Sequence, residues 1–239
     1  MLVLSLDTCD ARGSVCLVRD GVPGVPIAHP AGQDYSTWLL PALQRCLDAS
    51  SASYGALDAF AVATGPGSFT GVRVGLATVK ALAEAFRKPI AGISRLLAIA
   101  TTAAGDEEWI ASVADAGRGE LFGALYRSGK EGPALHGSEM VGPPSELVSE
   151  VSRVVPQGGV RWGALDADAL LGAPAWNSRA RHGDALQLVE PVLAPVLGRI
   201  GYERFRRGEL TDALHLDANY VRRSDAERFW KARPAGHGS

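Results

Sequence analysis

The sequence predicts an α/β fold of two related lobes, on three observations. Strand-length apolar runs alternate with stretches of helical periodicity through the N-terminal half. A glycine-punctuated segment, Thr64–Phe86 (TGPGSFTGVRVGLATVKALAEAF), follows one such run and opens directly into a small-residue amphipathic helix. The second half then opens as the first does. Leu4–Gly21 and Ile110–Gly129 each read as an apolar strand, an Asp, a short Arg/Gly turn, a second apolar strand and a glycine. A repeated opening of this kind is the mark of a duplicated unit.

Each element follows from its residues. Leu2–Leu6 and Gly13–Val18 form a strand pair around a polar turn, and Val25–Ala28 adds a third short strand. Ser36 or Thr37 is expected to cap a helix with Leu39, Leu40, Leu43 and Leu47 on one face and Trp38 on another, with Pro41 near its first turn or kinking it. Asp58–Thr64 is a buried strand leading into the glycine loop, and Val72–Phe86 is a helix through Val72, Leu76, Val79, Leu82 and Phe86. A strand at Pro89–Ile93 and a helix at Ser94–Thr102 close a first lobe of residues 1–102.

The second lobe, 103–223, reads as abbreviated. Gly, Pro and Ser are scattered over Ser128–Ser145, a helix is expected over Ser145–Val151, and Gly158-Gly159 marks a turn. Pro191 and Pro195 force the next helix to start late, near Val192, and it runs to Arg207. Residues 224–239 form a tail, frayed at Pro234–Ser239, whose Arg228, Lys231 and Arg233, with Arg222 and Arg223 just before them, are read as solvated charge.

Composition narrows the function. The 239 residues carry a net charge of −2, which argues against a primary polyphosphate binder and against a dedicated RNA-binding face. Three cysteines, Cys9, Cys16 and Cys46, have no metal-ligand spacing, and the N-terminal MLVLSLD runs straight into a strand without a basic leader. A reduced, cytoplasmic protein without a membrane span is expected. Cys9 has no histidine near it in sequence and is read as buried and structural.

The chemistry is concentrated at the turns. A loop with Gly65, Gly67 and Gly71 either holds an anion on free N–H groups at the helix start or lets two backbones touch, and Ser68 and Thr70 are placed to cap the same groups. No Gly-Lys-Ser/Thr follows Gly67, so the Walker pattern is absent. Asp7, with Thr8 beside it, and Asp115 end the first strands of the two repeats, where they either hold metal and phosphates or brace tight turns. The five histidines, at 29, 136, 182, 215 and 237, are dispersed, and no metal site is expected. Arg73, one turn inside the helix, is read as an anion ligand or the partner of a local carboxylate.

As a longer string, GPGSFTGVRVGLATVKALA resembles the signature segment of the TsaB family, also called YeaZ. Tyr220–Arg223 is similar to the Tyr-Leu-Arg element near the end of its members, although Tyr35-Ser36 stands where they usually have His-Ser. The resemblance implies an actin/hexokinase/Hsp70-like (ASKHA) fold. It also implies a non-catalytic subunit of the bacterial complex that makes N6-threonylcarbamoyladenosine (t6A) on tRNA, with TsaD-like and TsaE-like partners, a homodimer when TsaD is absent, and tRNA met mainly indirectly.

No cofactor is expected on this subunit, ATP and metal belonging to the partners, with weak nucleotide binding at the glycine loop left open. By resemblance the TsaD interface falls on the helices of Ser36–Leu47 and Val72–Phe86, through Ser36, Leu39, Leu40, Leu43, Leu47, Val72, Arg73, Leu76, Val79 and Lys80. The competing expectation is an independent Mg-ATP-dependent small-molecule kinase of the same fold, using Asp7 and Asp115.

Overall fold

The computed structural model describes residues 1–221. Arg222 and Arg223, the basic cluster that follows them and the tail to Ser239 therefore lie outside the described residues.

The chain forms two sheets with one topology. In the first, β1 (Leu2–Asp7), β2 (Ser14–Arg19), β3 (Val22–Pro23), β5 (Ala59–Ala63) and β6 (Ile90–Ile93) lie in the order β3-β2-β1-β5-β6, with the short β4 (Ile27–Ala28) also on β2. In the second, β7 (Trp109–Gly117), β8 (Glu120–Arg127), β9 (Ala134–Gly142), β10 (Val160–Ala164) and β11 (Ala185–Leu188) lie in the order β11-β10-β7-β8-β9. Each sheet has an antiparallel hairpin (β1/β2, β7/β8) and then parallel neighbours (β1/β5/β6, β7/β10/β11). The repeat read in the sequence is thus the hairpin that starts each sheet.

The helices are α1 (Tyr35–Asp48), α2 (Phe69–Phe86), α3 (Arg95–Ala103), α4 (Pro144–Val154), α5 (Asp168–Leu171), α6 (Pro174–Arg181) and α7 (Ala194–Arg206). Asp34, not Ser36 or Thr37, stands at the N-cap of α1, and its side chain makes no cap bond. The Thr37 hydroxyl donates instead to the Asp34 carbonyl. Pro41 sits inside the helix, past the first turn. Strands β9, β10 and β11 and the helices α5 and α6 have no counterpart in the sequence reading. β9 is an exposed edge strand bent by an irregular register near Gly137 at φ +74°, so alternation is lost there.

The last helix of each half crosses over. α3 packs on β7 and β10 of the second sheet, and α7 packs on β1, β2, β5 and β6 of the first. The divisions expected near residue 102 and over 103–223 do not follow the packing, because residues from Ala194 onward join the first sheet's core. Close approach makes the exchange possible. A side chain at Gly163 of β10 would meet Ala103 at 2.7 Å, one at Gly198 of α7 would meet Val18 at 2.3 Å, and one at Gly201 would meet Ala61 at 2.7 Å. The main core covers the first sheet and the junction, and a second surrounds Trp162, Leu147, Leu170 and Trp176. No helix among the described residues is long and apolar enough to cross a membrane.

Replacing Gly201 by Val therefore drives methyl groups into Ala61 and Ala91. The expected cost is about 1–3 kcal/mol, read as a lower urea midpoint with an unchanged slope. An unshifted midpoint would show that α7 does not hold the first sheet at this spacing.

Candidate functional site

The two β-hairpin turns, the glycine loop and the start of α3 meet at the junction of the lobes. They enclose a cleft of about 260 Å3 between Asp10, Arg12, Ser68 and Arg95 on one side and Asp115 and Asp166 on the other.

The glycine loop serves backbone contact. A side chain at Gly67 would lie 2.2 Å from the Cys9 carbonyl oxygen, one at Gly71 2.0 Å from that of Thr8, and one at Gly75 2.3 Å from the Thr8 hydroxyl oxygen. The Ser68 N–H donates to the Cys9 carbonyl at 2.6 Å, and the Thr8 hydroxyl donates to the Gly71 carbonyl at 2.7 Å. Ser68 is the N-cap, its hydroxyl accepting from the Gly71 N–H at 3.3 Å, while Thr70 is exposed in the first turn. Gly65 is buried at φ +107°, its carbonyl accepting the Arg95 N–H at 2.7 Å. Of the two readings of this loop, the geometry supports the one in which α2 lies directly on the turn after β1.

The aspartates brace turns in both repeats. Asp7 accepts the Cys9 N–H at 2.8 Å and Asp115 accepts the Gly117 N–H at 2.9 Å, the same two-residue reach. Beyond this the repeats diverge. Asp115 is exposed, whereas Asp7 is fully buried and its other oxygen accepts from Arg95 Nε at 3.0 Å. A second nitrogen of the Arg95 guanidinium donates to Asp10 at 3.0 Å, and Arg95 itself is only 3% exposed. Burial alone would push the Arg95 guanidinium down; the charges of Asp7 and Asp10 reverse that and hold it above its ordinary value. Burial likewise pushes the Asp10 carboxyl up, but Arg95 and the Arg12 N–H outweigh it and leave it below the usual range.

Arg95 was missed in the sequence. Its signal is a lone cation in the apolar run Ile93–Ala100, placed at a helix N-terminus where the dipole disfavours it. The Mg-nucleotide that this fold class implies does not fit these residues. Both Asp7 oxygens are committed and buried, and Arg95 stands between Asp7 and Asp10, the first-lobe carboxylate that lines the cleft. Among the described residues no His/Cys/Asp/Glu cluster could hold a metal ion.

The helical surface differs from the expected one. Leu39, Leu43 and Leu47 of α1 and Val72, Leu76 and Val79 of α2 are buried in the lobe's own core, as is Trp38 at 2% exposure. Of the ten residues expected at a partner interface, Ser36, Leu40 and Arg73 are exposed and Lys80 is half-buried. The outer face of α2 is Arg73, Ala77, Ala81 and Ala85. Arg73 pairs with aromatic groups, its guanidinium 3.6 Å from the Phe69 ring centroid and its Nε donating to the Tyr220 hydroxyl at 3.2 Å. Tyr35 donates its hydroxyl to the Asp10 carbonyl at 2.5 Å and stacks on His29.

The comparisons bear on this arrangement. A family model described as TsaD: tRNA N6-adenosine threonylcarbamoyltransferase matches residues 26–153. The tRNA threonylcarbamoyladenosine biosynthesis protein TsaB of Escherichia coli (strain K12) is 29% identical, over 98% of this chain and 99% of that protein. The chain belongs to this TsaD-like family, in its TsaB (YeaZ) branch. The solved YeaZ from Pseudomonas aeruginosa superposes with a TM-score of 0.77 at 27% identity, covering 92% of this chain and 99% of that one. A ROK hexokinase from Thermus thermophilus, with a TM-score of 0.52 at 14% identity over 86% of this chain and 100% of its own, shares the fold alone. This chain thus has the ASKHA fold expected from the sequence.

Two outcomes follow. Because the Asp10 carboxyl is held low in the folded state, its contribution is present above the ordinary carboxylate value, about pH 4, and is lost as pH falls through the folded value. The stability gap between wild type and Asp10→Asn should be constant near neutrality and shrink on acidification; a gap that widens in acid would reverse the assignment. The thiols are the second case. Burial pushes Cys16 up to about 12, raises Cys9 well above its ordinary value and raises Cys46. A disulfide reagent should titrate no thiol rapidly in the native chain and all three cysteines after denaturation. A fast native equivalent would reveal an accessible thiolate.

Proposed function

We propose that this chain is a non-catalytic subunit of the machinery that makes t6A on tRNA, binding a TsaD-like protein and supporting the docking of a TsaE-like ATPase. The observation that carries the reading is the match to E. coli TsaB across nearly the full length of both proteins. The cleft supports it, since Asp10 in its lining and the buried Asp7 behind it both pair with Arg95. On this reading the subunit acts in the cytoplasm, carries no cofactor of its own and meets tRNA through its partners.

The docking face is the outer side of α1 and α2. Leu40, 53% exposed, and the alanine stripe of α2 offer an apolar strip that admits the close approach of another helix. In the absence of the TsaD-like partner the same strip joins two copies of the chain. Leu39, Leu43, Leu47, Val72, Leu76 and Val79 act behind this face by fixing the two helices on the core.

Co-purification with the TsaD-like protein of the same organism tests the reading, with Mg-ATP titrated calorimetrically into the isolated chain in parallel. The expected result is a stoichiometric complex, weakened about tenfold or more by Ala81→Arg, and no heat from Mg-ATP. No complex, together with micromolar Mg-ATP affinity lost in Asp115→Asn, would replace it with the kinase reading.

A further inference from the structure

We propose that the second lobe binds a neutral aromatic molecule bearing one hydrogen-bonding group, in a cavity of about 340 Å3 between α4 and the second sheet. That volume is in the range of small-molecule sites. The void has a cause in the repeated topology. In each lobe a hairpin and its edge strands lead into a helix that packs on the sheet, α1 in the first and α4 in the second. α1 buries Trp38, Leu39, Ala42, Leu43, Cys46 and Leu47, whereas α4 buries Leu147, Val148 and Val151 alone. Leu147 is seated where the sheet has no side chain, since one at Gly123 would lie 1.8 Å from it. Toward the other end of α4 the short Val151 and Val154 line the cavity from the helix, and the small Ala111 and Val113 line it from the sheet. The layer is underfilled there, where interiors are otherwise close-packed.

The lining fits an apolar ring. Trp162 is 1% exposed and its indole N–H already donates to Asp184 at 2.7 Å, so the wall it adds is apolar. Leu125 and Met140 also line the cavity, and a methionine sulfur packs favourably against an aromatic ring. An apolar void offers water few partners and takes an apolar guest. The mouth is polar and lies where β9 is irregular. The register of β9 on β8 shifts between Gly123 and Leu125, and the exposed His136, Gly137 and Ser138 line the opening. The charges at the mouth are already paired, Arg153 Nε donating to one Glu150 oxygen at 3.1 Å and a second guanidinium nitrogen to the other. Among the described residues no hydrogen bond engages the His136 ring nitrogens or the Ser138 hydroxyl. A hydroxyl or N–H on the guest can therefore meet an imidazole or a hydroxyl, whereas a charged head must compete with the Glu150–Arg153 pair. None of these residues is on α1 or α2, so the site is separate from the docking face.

The test is a titration of 4-fluorophenol into the full chain, followed by fluorine NMR, with 4-fluorobenzoate as the charged counterpart and Val151→Phe and His136→Ala as variants. Wild type should bind 4-fluorophenol with a Kd of about 1 mM or below, and 4-fluorobenzoate at least about tenfold more weakly. Val151→Phe should fill the void, melting higher by about 2–4 °C and losing the phenol. His136→Ala, changed at the exposed mouth, should weaken the phenol by about two- to tenfold. The proposal is overturned if wild type binds no 4-fluorophenol at millimolar concentration, if the benzoate binds as tightly, or if either variant binds the phenol as wild type does. It is also overturned if Val151→Phe melts lower than wild type, because the layer would then already be full. Neither ATP nor a partner enters these readouts, so their failure would leave the non-catalytic reading to its own test.

Discussion

The ion group of Arg95 with Asp7 and Asp10 is the constraint on which the junction depends. Asp7 ends β1, Asp10 lies in the turn after it, and Arg95 opens the helix that crosses to the second sheet. One guanidinium therefore fixes the first hairpin turn against the inter-lobe helix. A pair as buried as Arg95 and Asp7 adds little net stability over an apolar replacement, but removing one partner strands the other in a low dielectric. The group acts as a specification of geometry more than as a source of stability.

Around that point the fold relies on missing side chains. Gly67, Gly71 and Gly75 let α2 lie on the β1–β2 turn, while Gly163, Gly198 and Gly201 let α3 and α7 exchange sheets. The C-terminal segment completes the junction. Leu216 packs against Gly92, the Asn219 N–H donates to the Thr64 carbonyl at 2.8 Å, and the Asn219 amide donates to Glu139 of β9 at 2.7 Å. Glu139 also accepts from the Ser94 hydroxyl that caps α3, so a single carboxylate joins β9, α3 and the C-terminal segment. Loop, cap and strap hold one arrangement of the lobes.

The first-lobe side of the cleft is paired within the chain. The duplicated Asp turns are retained, and both still accept a backbone N–H two residues on. Hydrogen bonds within the chain occupy the first-lobe groups that would face a metal and its phosphates. What remains at the surface is helical: an alanine face on α2, flanked by Phe69, Arg73 and Tyr220 at one end.

Much of the first half was legible in the sequence, because its strands are apolar runs, its helices are periodic, and its turns carry Asp and Gly with local causes. The repeat of Leu4–Gly21 at Ile110–Gly129 gave the two-sheet architecture for the same reason. The later strands were not legible: β9 is an exposed edge with broken register, and Arg161 and Gln187 interrupt β10 and β11, so no unbroken apolar run marks them. Nor could periodicity say which apolar face meets the lobe's own core, and so Leu39, Leu43 and Leu47 of α1 were read as partner surface when they are buried. The sequence by itself determined the fold class, the family and the turn chemistry, all written in neighbouring residues. Only the tertiary structure decided the exchange of α3 and α7 and the union of Arg95 with Asp7 and Asp10, since both depend on groups far apart in the chain that meet only when two sheets are packed.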